Sequence, residues 1–337
     1  MRTLGLDIGG ANIKAALAIH SNKGSRIARQ WSVPLELFKQ KGGLTIALEE
    51  LRREAAPDTV ALTMTGELCD CFRNRSVGVK WILRQAEEAL SGLELKIFNT
   101  TAETVSIRQA MRSPLSVASA NWAVTLRWAA DNGLENGLAL DIGSTTTDIL
   151  PVKNGAPCPR GNDDFTRARE GELVYTGYLR THASIAAPVI VVRGIEMASC
   201  PEYFAIVGDA HLLLGDMEAE EYTCPTPDGG PRTRKGAARR LCRMALSDLE
   251  ELGMEEALNI ARQVVGVQEA RLVEAVSKVA KRDGVAKGGY LLLIGSGASI
   301  YETTITNKLG LTLLDRLGGI NASKINPAVC AALSLKN

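Results

Sequence analysis

The sequence predicts an α/β protein built from two duplicated lobes, and three observations carry that prediction. Two β-rich runs near the N-terminus are joined by a glycine turn and followed by alternating helical and strand-like segments. The same unit returns 134 residues later: LGLDIGGANIKAAL begins at Leu4 and LALDIGSTTTDILP at Leu138. Towards the C-terminus an apolar strand runs into a third glycine-rich turn and a new helical pattern. Repetition at this scale implies a duplicated architecture, with a first lobe over residues 1–131, a second over 132–337 and a boundary near Asp131 to Glu135. The last helix is left free to pack back on the first lobe.

Taken in order, Leu4–Ile8 and Ile13–Ile19 flank the turn-forming Gly9-Gly10-Ala11-Asn12 and read as a hairpin. A third run covers Arg26–Val33; helical periodicity then spans Gly43–Ala55, a strand Thr59–Met64, a helix Gly78–Leu90 and a strand Leu93–Phe98. In the repeat, Leu138–Ile142 leads through Gly143-Ser144 into Thr145–Leu150. The stretch Lys153–Gly171, rich in Pro, Gly and charge, reads as a surface excursion. Beyond it come a strand at Pro188–Val192 and helices at Pro201–Leu214, Gly236–Glu251 and Glu255–Arg282. Tyr290–Ile294 is a strand feeding Gly295-Ser296-Gly297-Ala298, with a helix from Ser299 and a short strand at Leu311–Leu314. The final helix starts at Pro327 with Asn326 as its N-cap.

Bulk chemistry excludes several classes. Lys+Arg 39 against Asp+Glu 38 leaves a net charge of +1, so no global field draws nucleic acid or an anionic membrane, and any anion site must be built locally. Seven scattered cysteines without a C-x-x-C pair suit a reducing cytoplasm. Three separated histidines argue against a His/Cys metal centre and leave a hard cation on carboxylates. The start MRTLGLDIGG lacks a signal-peptide core and no window nears the ~20 apolar residues of a membrane span, so a cytoplasmic location is expected.

The turns are where chemistry concentrates. Gly9 and Gly10 let backbone N–H groups approach an anion, with Asn12 closing the turn; Asp7 can hold a hydrated cation and Lys14 can reach a phosphate. At the second turn Gly143 is joined by the hydroxyls of Ser144, Thr145 and Thr146, and Asp141 and Asp148 add carboxylates. The plain alternative is a glycine hairpin beside a solvated lysine and a threonine-rich strand; the pairing at equivalent points of a repeat favours phosphate. Gly295, Ser296 and Gly297, between a strand and a helix, suit a nucleotide or substrate at a helix N-terminus, or simply a turn that needs glycine to pack.

Together the three segments resemble the superfamily of acetate and sugar kinases, heat-shock chaperones and actin. Within it the chain is similar to the hydantoinase A and oxoprolinase-like branch, and there to the small proteins linked to tetrahydromethanopterin-dependent one-carbon metabolism, whose archaeal members include a methanofuran-biosynthesis condensing enzyme. Thr63 to Phe72, Ala118 to Trp122, Gly171 to Gly177 and Gly208 to Gly215 carry the resemblance further along the chain. It implies two actin-like ATPase, ribonuclease H-like lobes with a central ligand cleft. Glu67 and Asp70 lie just past a strand end, where ligand-contacting residues of α/β sheets gather. Trp122 fits core packing, with Asn121 a candidate for the cleft. Glu172, Tyr175 and Thr176 suit either a flap over substrate or an edge strand. His211, two residues after Asp209, departs from the Met-Ala-Asp-Val-type segment of the family. Arg232, Arg234, Lys235, Arg239 and Arg240 form the densest basic run, either a solvated helix start or a source of arginine for a diphosphate.

The implied activity is condensation of an aminomethylfuran-methyl diphosphate with the phenol oxygen of a tyrosine- or tyramine-type acceptor, forming an aryl ether and releasing diphosphate. The partners are then these two small molecules, with Mg²⁺ as cofactor and no requirement for ATP; no nucleic acid or membrane is expected, and a homodimer is left open. On this reading Asp7, Asp141 and Asp148 hold the metal; Gly9, Gly10, Asn12, Lys14, Gly143, Ser144, Thr145 and Thr146 bind diphosphate; Glu67 or Asp70 takes the phenol proton. An ATP-dependent kinase or amide hydrolase is the alternative from the same superfamily, and a nucleotide-gated regulatory protein the alternative from another class.

Overall fold

A computed structural model describes residues 1–22, 24–37, 42–285 and 288–335. The chain begins with β1 (Arg2–Ile8), β2 (Asn12–Ser21), β3 (Gly24–Pro34), α1 (Gly43–Ala55), β4 (Thr59–Met64), α2 (Arg75–Ala89), β5 (Glu94–Phe98), β6 (Thr104–Ser106), α3 (Ile107–Arg112) and α4 (Asn121–Asp131). It continues through β7 (Gly137–Ile142), β8 (Thr147–Lys153), β9 (Ala156–Pro157), α5 (Asp164–Glu170), β10 (Leu173–Val174), α6 (Ala183–Ala186), β11 (Val189–Val192), β12 (Ile195–Ala198), α7 (Val207–Leu214), α8 (Arg234–Arg243) and α9 (Leu249–Arg282). β13 (Tyr290–Ile294), α10 (Ala298–Leu309), β14 (Thr312–Leu313) and α11 (Pro327–Ser334) follow.

Two mixed sheets repeat one topology. The first has the order β3-β2-β1-β4-β5-β6 and the second β10-β8-β7-β13-β14, with β9 paired to β8. In the first, β1 is antiparallel to β2 and parallel to β4; in the second, β13 runs parallel to β7 and β14. The duplication extends to single hydrogen bonds. Gly9 N–H donates to Asn12 O at 3.0 Å, and 134 residues on Gly143 N–H donates to Thr146 O at 2.9 Å. The α/β class and the repeated ribonuclease H-like strand order expected from sequence are therefore present.

The compact units are not contiguous in sequence. One comprises Met1–Glu135, Val152–Arg167 and Arg316–Asn337; the other comprises Asn136–Pro151 and Ala168–Asp315. Residues 152–167, placed in the second lobe by a single cut near residue 131, thus fold with the first unit, and so does the last helix, which was left free to pack there. Packing explains both. Arg167 is buried with its guanidinium 4.3 Å above the Trp122 ring, which fixes the excursion on α4. Helix α11 lies on β1, where a Cβ at Gly5 would overlap Ala328 O and Ala332 N, so glycine permits the close approach. Asn326 caps α11 by accepting from Val329 N–H at 3.1 Å. In this unit Leu4, Leu6 and Ile8 of β1 share a core with Leu44, Leu48 and Leu51 of α1.

The second unit departs from expectation in two places. Helix α8 stops at Arg243, and α9 begins after Asp248, whose side chain accepts from Glu251 N–H at 2.8 Å; Leu246 between them has φ 54°. Gly253, with φ 82° and ψ 167°, interrupts α9 between Glu251 and Glu255, where the sequence separates two helices. The strand at Val189–Val192 is one arm of a hairpin with β12, turned by Arg193 (φ 50°) and Gly194 (φ 79°), the backbone signature of a two-residue I′ turn. Among the described residues no helix is long and apolar enough to cross a membrane.

Candidate functional site

In the first unit, the β1–β2 turn is backed by the loop that follows β4. Thr65 N–H donates to Ile8 O at 2.9 Å, a Cβ on Gly66 would come within 3.1 Å of Gly9 O, and one on Gly10 within 2.7 Å of Cys69 Sγ. Glycine at these positions lets the loop sit against the turn. Asp7 is buried and stands opposite Lys14 in the β1–β2 register. Burial pushes the Cys69 thiol up to about 11, with Cys71, Asp70 and Glu67 adding to it, so Cys69 is no ready thiolate.

The same loop separates the two acidic candidates. Asp70 is exposed, whereas Glu67, in a 3₁₀ turn over Gly66–Leu68, is buried. Ser119 Oγ stands 2.7 Å from Glu67 Oε1 and 2.8 Å from Asp164 Oδ2. Arg75 Nη2 lies 3.2 Å from Glu67 Oε1, 3.0 Å from Ser119 Oγ and 3.4 Å from Asp164 Oδ2. Glu67 Oε2 is buried without a hydrogen-bond partner. Burial pushes the Glu67 carboxyl above its usual range, against the pull of Ser119 and Arg75. The sequence reading found Glu67 but not Arg75, Ser119 or Asp164, which come from three distant segments. Trp122 is buried as core, while Asn121 is only partly buried.

In the second unit, residues 176–180 strap the β7–β8 turn. Tyr178 N–H donates to Gly143 O at 3.1 Å, and Leu179 and Arg180 N–H donate to Ser144 O at 3.2 and 2.7 Å. A Cβ on Gly177 would overlap Gly143 O and Thr145 N. Gly143, Ser144, Thr145 and Thr146 remain partly exposed, with the Ser144 and Thr145 hydroxyls 3.5 Å apart. Thr147 is different: its hydroxyl donates to Thr176 O at 2.9 Å and serves the strap. Asp141 and Asp148 are buried.

A hydrogen-bond network holds the strap from behind. Gln268 Nε2 donates to Thr176 Oγ1 (2.8 Å) and Gly177 O (2.7 Å), and its Oε1 accepts from Tyr301 OH (2.7 Å). His211 Nε2 lies 3.0 Å from that phenol oxygen, and His211 Nδ1 3.0 Å from Asp216 Oδ2. His211 is thus a structural link. Arg180 presents another kind of group: its Nε is buried without a partner, and among the described residues no carboxylate pairs with it. A guanidinium without a carboxylate partner, on a residue whose backbone N–H is bonded to the hydroxyl-rich turn, is suited to an anion. Sequence reading missed Arg180 because a single arginine carries no spacing signal.

The third glycine segment closes on the second turn. Gly297 N–H donates to Ile142 O at 2.9 Å, and Ser296 hydrogen-bonds the Tyr178 phenol, whose pKa burial raises. Gly295 has φ 86°, and a Cβ there would overlap Asp141 Oδ1. Glycine here keeps the space beside the Asp141 carboxylate open. Within either unit the described residues contain no group of three His, Cys, Asp or Glu side chains arranged around a metal. Mg²⁺ needs no such cage, because it commonly uses one or two carboxylates together with substrate phosphates. The Asp141 carboxylate, at the end of β7 beside the glycine turn, is of the type that pattern uses.

Three other candidates resolve into structural roles. Arg240 is buried and donates to Asp209 Oδ1 from Nε (2.9 Å) and Nη2 (2.7 Å), and to Asp228 from Nη1 (3.1 Å); Arg239 pairs with Glu250. Tyr222 OH and Ile206 N–H also donate to Asp209. Of the basic run, Arg240 is therefore committed to Asp209 and Asp228, while Arg232, Arg234 and Lys235 are exposed. Glu172 is buried against Arg282, Thr176 belongs to the strap, and only Tyr175 of that trio is exposed.

Comparison with known proteins follows this geometry. Residues 58–313 match the profile of the hydantoinase/oxoprolinase family. The chain is 32% identical over 333 residues, 99% of its length and 97% of the relative's, to (4-{4-[2-(gamma-L-glutamylamino)ethyl]phenoxymethyl}furan-2-yl)methanamine synthase of Methanocaldococcus jannaschii. It is 30% identical over 208 residues to the synthase of the same name from Methanococcus vannielii, covering 60% of this chain and 92% of that one. Among solved structures it is similar in fold to a nucleotide-free acetone carboxylase, with a TM-score of 0.57 and 9% identity over 92% of this chain and 68% of the other.

Proposed function

The chain belongs to the hydantoinase/oxoprolinase family, and we propose that within it the protein is an ether-forming transferase of methanofuran biosynthesis. It condenses an aminomethylfuran-methyl diphosphate with the phenol oxygen of a tyrosine- or tyramine-type acceptor and releases diphosphate. The observation that carries this reading is the 32% identity, over 99% of the chain, to a synthase whose named product joins a phenol oxygen to a furan methylene.

The residues suit that chemistry. As the C–O bond to the leaving group stretches, negative charge gathers on the diphosphate, and donors already in place stabilise it most at that moment. In the second unit these donors are the Ser144, Thr145 and Thr146 hydroxyls and the Arg180 guanidinium, with Gly143 shaping the turn; the equivalent candidate in the first unit is the Gly9, Gly10 and Asn12 turn with Lys14. The furan ring shares the positive charge left on its exocyclic carbon. Glu67 receives the phenol proton, and exposed Asp70 is the weaker candidate for that role. A Mg²⁺ held by Asp141 together with the substrate phosphates would neutralise diphosphate charge.

The test is to incubate purified protein and Mg²⁺ with the furan-methyl diphosphate and either tyrosine or γ-glutamyl-tyramine, without nucleotide, and to follow products by mass spectrometry. Equal amounts of ether and diphosphate are expected. No ether with either acceptor, together with thermal stabilisation by ATP, would overturn the reading in favour of a nucleotide-dependent one.

A further inference from the structure

Ser119 has one hydroxyl proton but stands between two carboxylate oxygens, 2.7 Å from Glu67 Oε1 and 2.8 Å from Asp164 Oδ2. Both separations are those of O–H···O hydrogen bonds, and an ionised carboxylate only accepts. Arg75 Nη2 approaches all three oxygens, yet its protons serve N···O contacts and none of the O···O ones. With both carboxylates ionised, one of the two short contacts would therefore set lone pair against lone pair. The cluster needs one proton more than its hydroxyl and guanidinium supply.

We propose that Glu67 carries that proton on Oε1 in the resting protein, and that Glu67, Ser119 and Asp164 form a relay moving the proton of the incoming hydroxyl to solvent. The direction of flow rests on the ether-forming reading; the resting proton rests on geometry alone. Burial places it on Glu67: the Glu67 side chain is 0% exposed, that of Asp164 23%. Among these four groups the Arg75 guanidinium then faces a single carboxylate, that of Asp164. Other ionisable groups close by include Cys69 and Asp70 on the same loop, Asp163 beside Asp164, and Arg167 one turn along α5. The upward push of burial on Glu67 agrees with this placement.

The relay balances. The O–H bond of the acceptor breaks and its proton bonds to Glu67 Oε2, the carboxyl oxygen without a partner, while the acceptor oxygen keeps the electron pair that forms the new C–O bond. The Glu67 Oε1–H bond breaks and that proton moves to Ser119 Oγ, whose own proton passes to Asp164 Oδ2 and on to water. Glu67 ends neutral, with its proton on the other oxygen. The arrangement also accounts for the Ser119 backbone, held at φ 48°, a conformation retained where surrounding structure over-determines it.

The test begins without substrate. Difference infrared spectra of the full chain at neutral pH, in H₂O and in D₂O, should show a protonated carboxyl band that is present in the wild type, lost in Glu67→Gln and kept in Asp70→Asn. A wild type without that band, or a band that survives Glu67→Gln, would overturn the proposal. In the ether-forming assay Ser119→Ala and Asp164→Asn should each lower kcat by about 10²-fold, with KM within about twofold and Tm preserved, and Asp164→Glu should restore part of the loss. Wild-type kcat in both variants would remove the relay even with the band present. Absence of ether from the wild type would sink the proposed function, and the infrared band would still decide the resting proton.

Discussion

Replacing Arg240 with Leu separates a structural from a ligand-binding basic run. Arg240 and Asp209 are both fully buried, and Asp209 Oδ1 takes two of the guanidinium's N–H groups. Burial pushes the Asp209 carboxyl up, while Arg240, Ile206 N–H and Tyr222 OH favour its charged form. Removing the arginine leaves a buried carboxylate with only the last two donors, and breaking a buried pair this way costs about 3–5 kcal/mol. The lower end is expected, because those donors remain and the carboxyl can take up a proton. Asp228 suffers less, since Gly230 N–H at 2.9 Å and Arg243 at 3.3 Å still hold it. At about 2–4 °C per kcal/mol for a unit of this size, Tm should fall by about 6–20 °C. The double variant Asp209→Asn with Arg240→Leu should recover part of the loss, because no unpaired charge remains. The assay is thermal unfolding followed by circular dichroism, with calorimetric titration of inorganic diphosphate on the folded protein. A Tm within about 2 °C of wild type, joined to a tenfold loss of diphosphate affinity, would refute the structural assignment.

Further expectations follow from the same contacts. Gly177→Ala forces a Cβ into Gly143 O and Thr145 N; it should destabilise by about 1–3 kcal/mol and abolish measurable binding of inorganic diphosphate in calorimetry, whereas retained affinity would separate the strap from the anion site. Asp141→Asn should weaken Mg²⁺ in a titration of activity, and an unchanged midpoint would remove Asp141 from the metal's ligands. Glu67 has a folded pKa above its unfolded value, so its stabilising contribution is complete below the unfolded value of about 4.3 and is lost as pH rises through the folded one. Urea unfolding between about pH 5 and about pH 8 should therefore show wild type losing stability relative to Glu67→Gln with rising pH; a flat difference would place the carboxyl at its ordinary value.

What the sequence made legible was local and periodic. Helix Gly43–Ala55 and strands Thr59–Met64 and Tyr290–Ile294 have the predicted bounds, because each is a clean apolar pattern ended by turn residues. The duplicated turn was legible because glycine, aspartate and spacing repeat together. The parts that escaped depend on which distant surface a segment covers. Nothing in Val152–Arg167 announces that Arg167 will lie over Trp122, or that Asp164 will join Glu67 through Ser119. Arg240 shows the same limit in reverse: a run of positive charge looked like one feature, but the helix buries Arg240 and leaves Arg239 outside. The interruption at Leu246 and Asp248 was missed although Ser247-Asp248 is a capping signal, because the flanking helical periodicity dominated the reading.

The two turns repeat a backbone but not a chemistry. Each closes with the same glycine-to-carbonyl hydrogen bond, and each is backed by the segment that follows the neighbouring parallel strand. Behind the first turn that segment carries Glu67, a buried acid tied to a second carboxylate, which suits proton movement and would repel an anion if fully ionised. Behind the second it carries glycines and a serine, while Arg180 is a positive group without a carboxylate partner among the described residues and the Gln268–Tyr301 network supports the strap. Duplication supplied one scaffold twice, and the differences lie in side chains that do not alter the turn itself. At the first turn the proposed resting proton on Glu67 leaves Arg75 facing one carboxylate, that of the part-exposed Asp164.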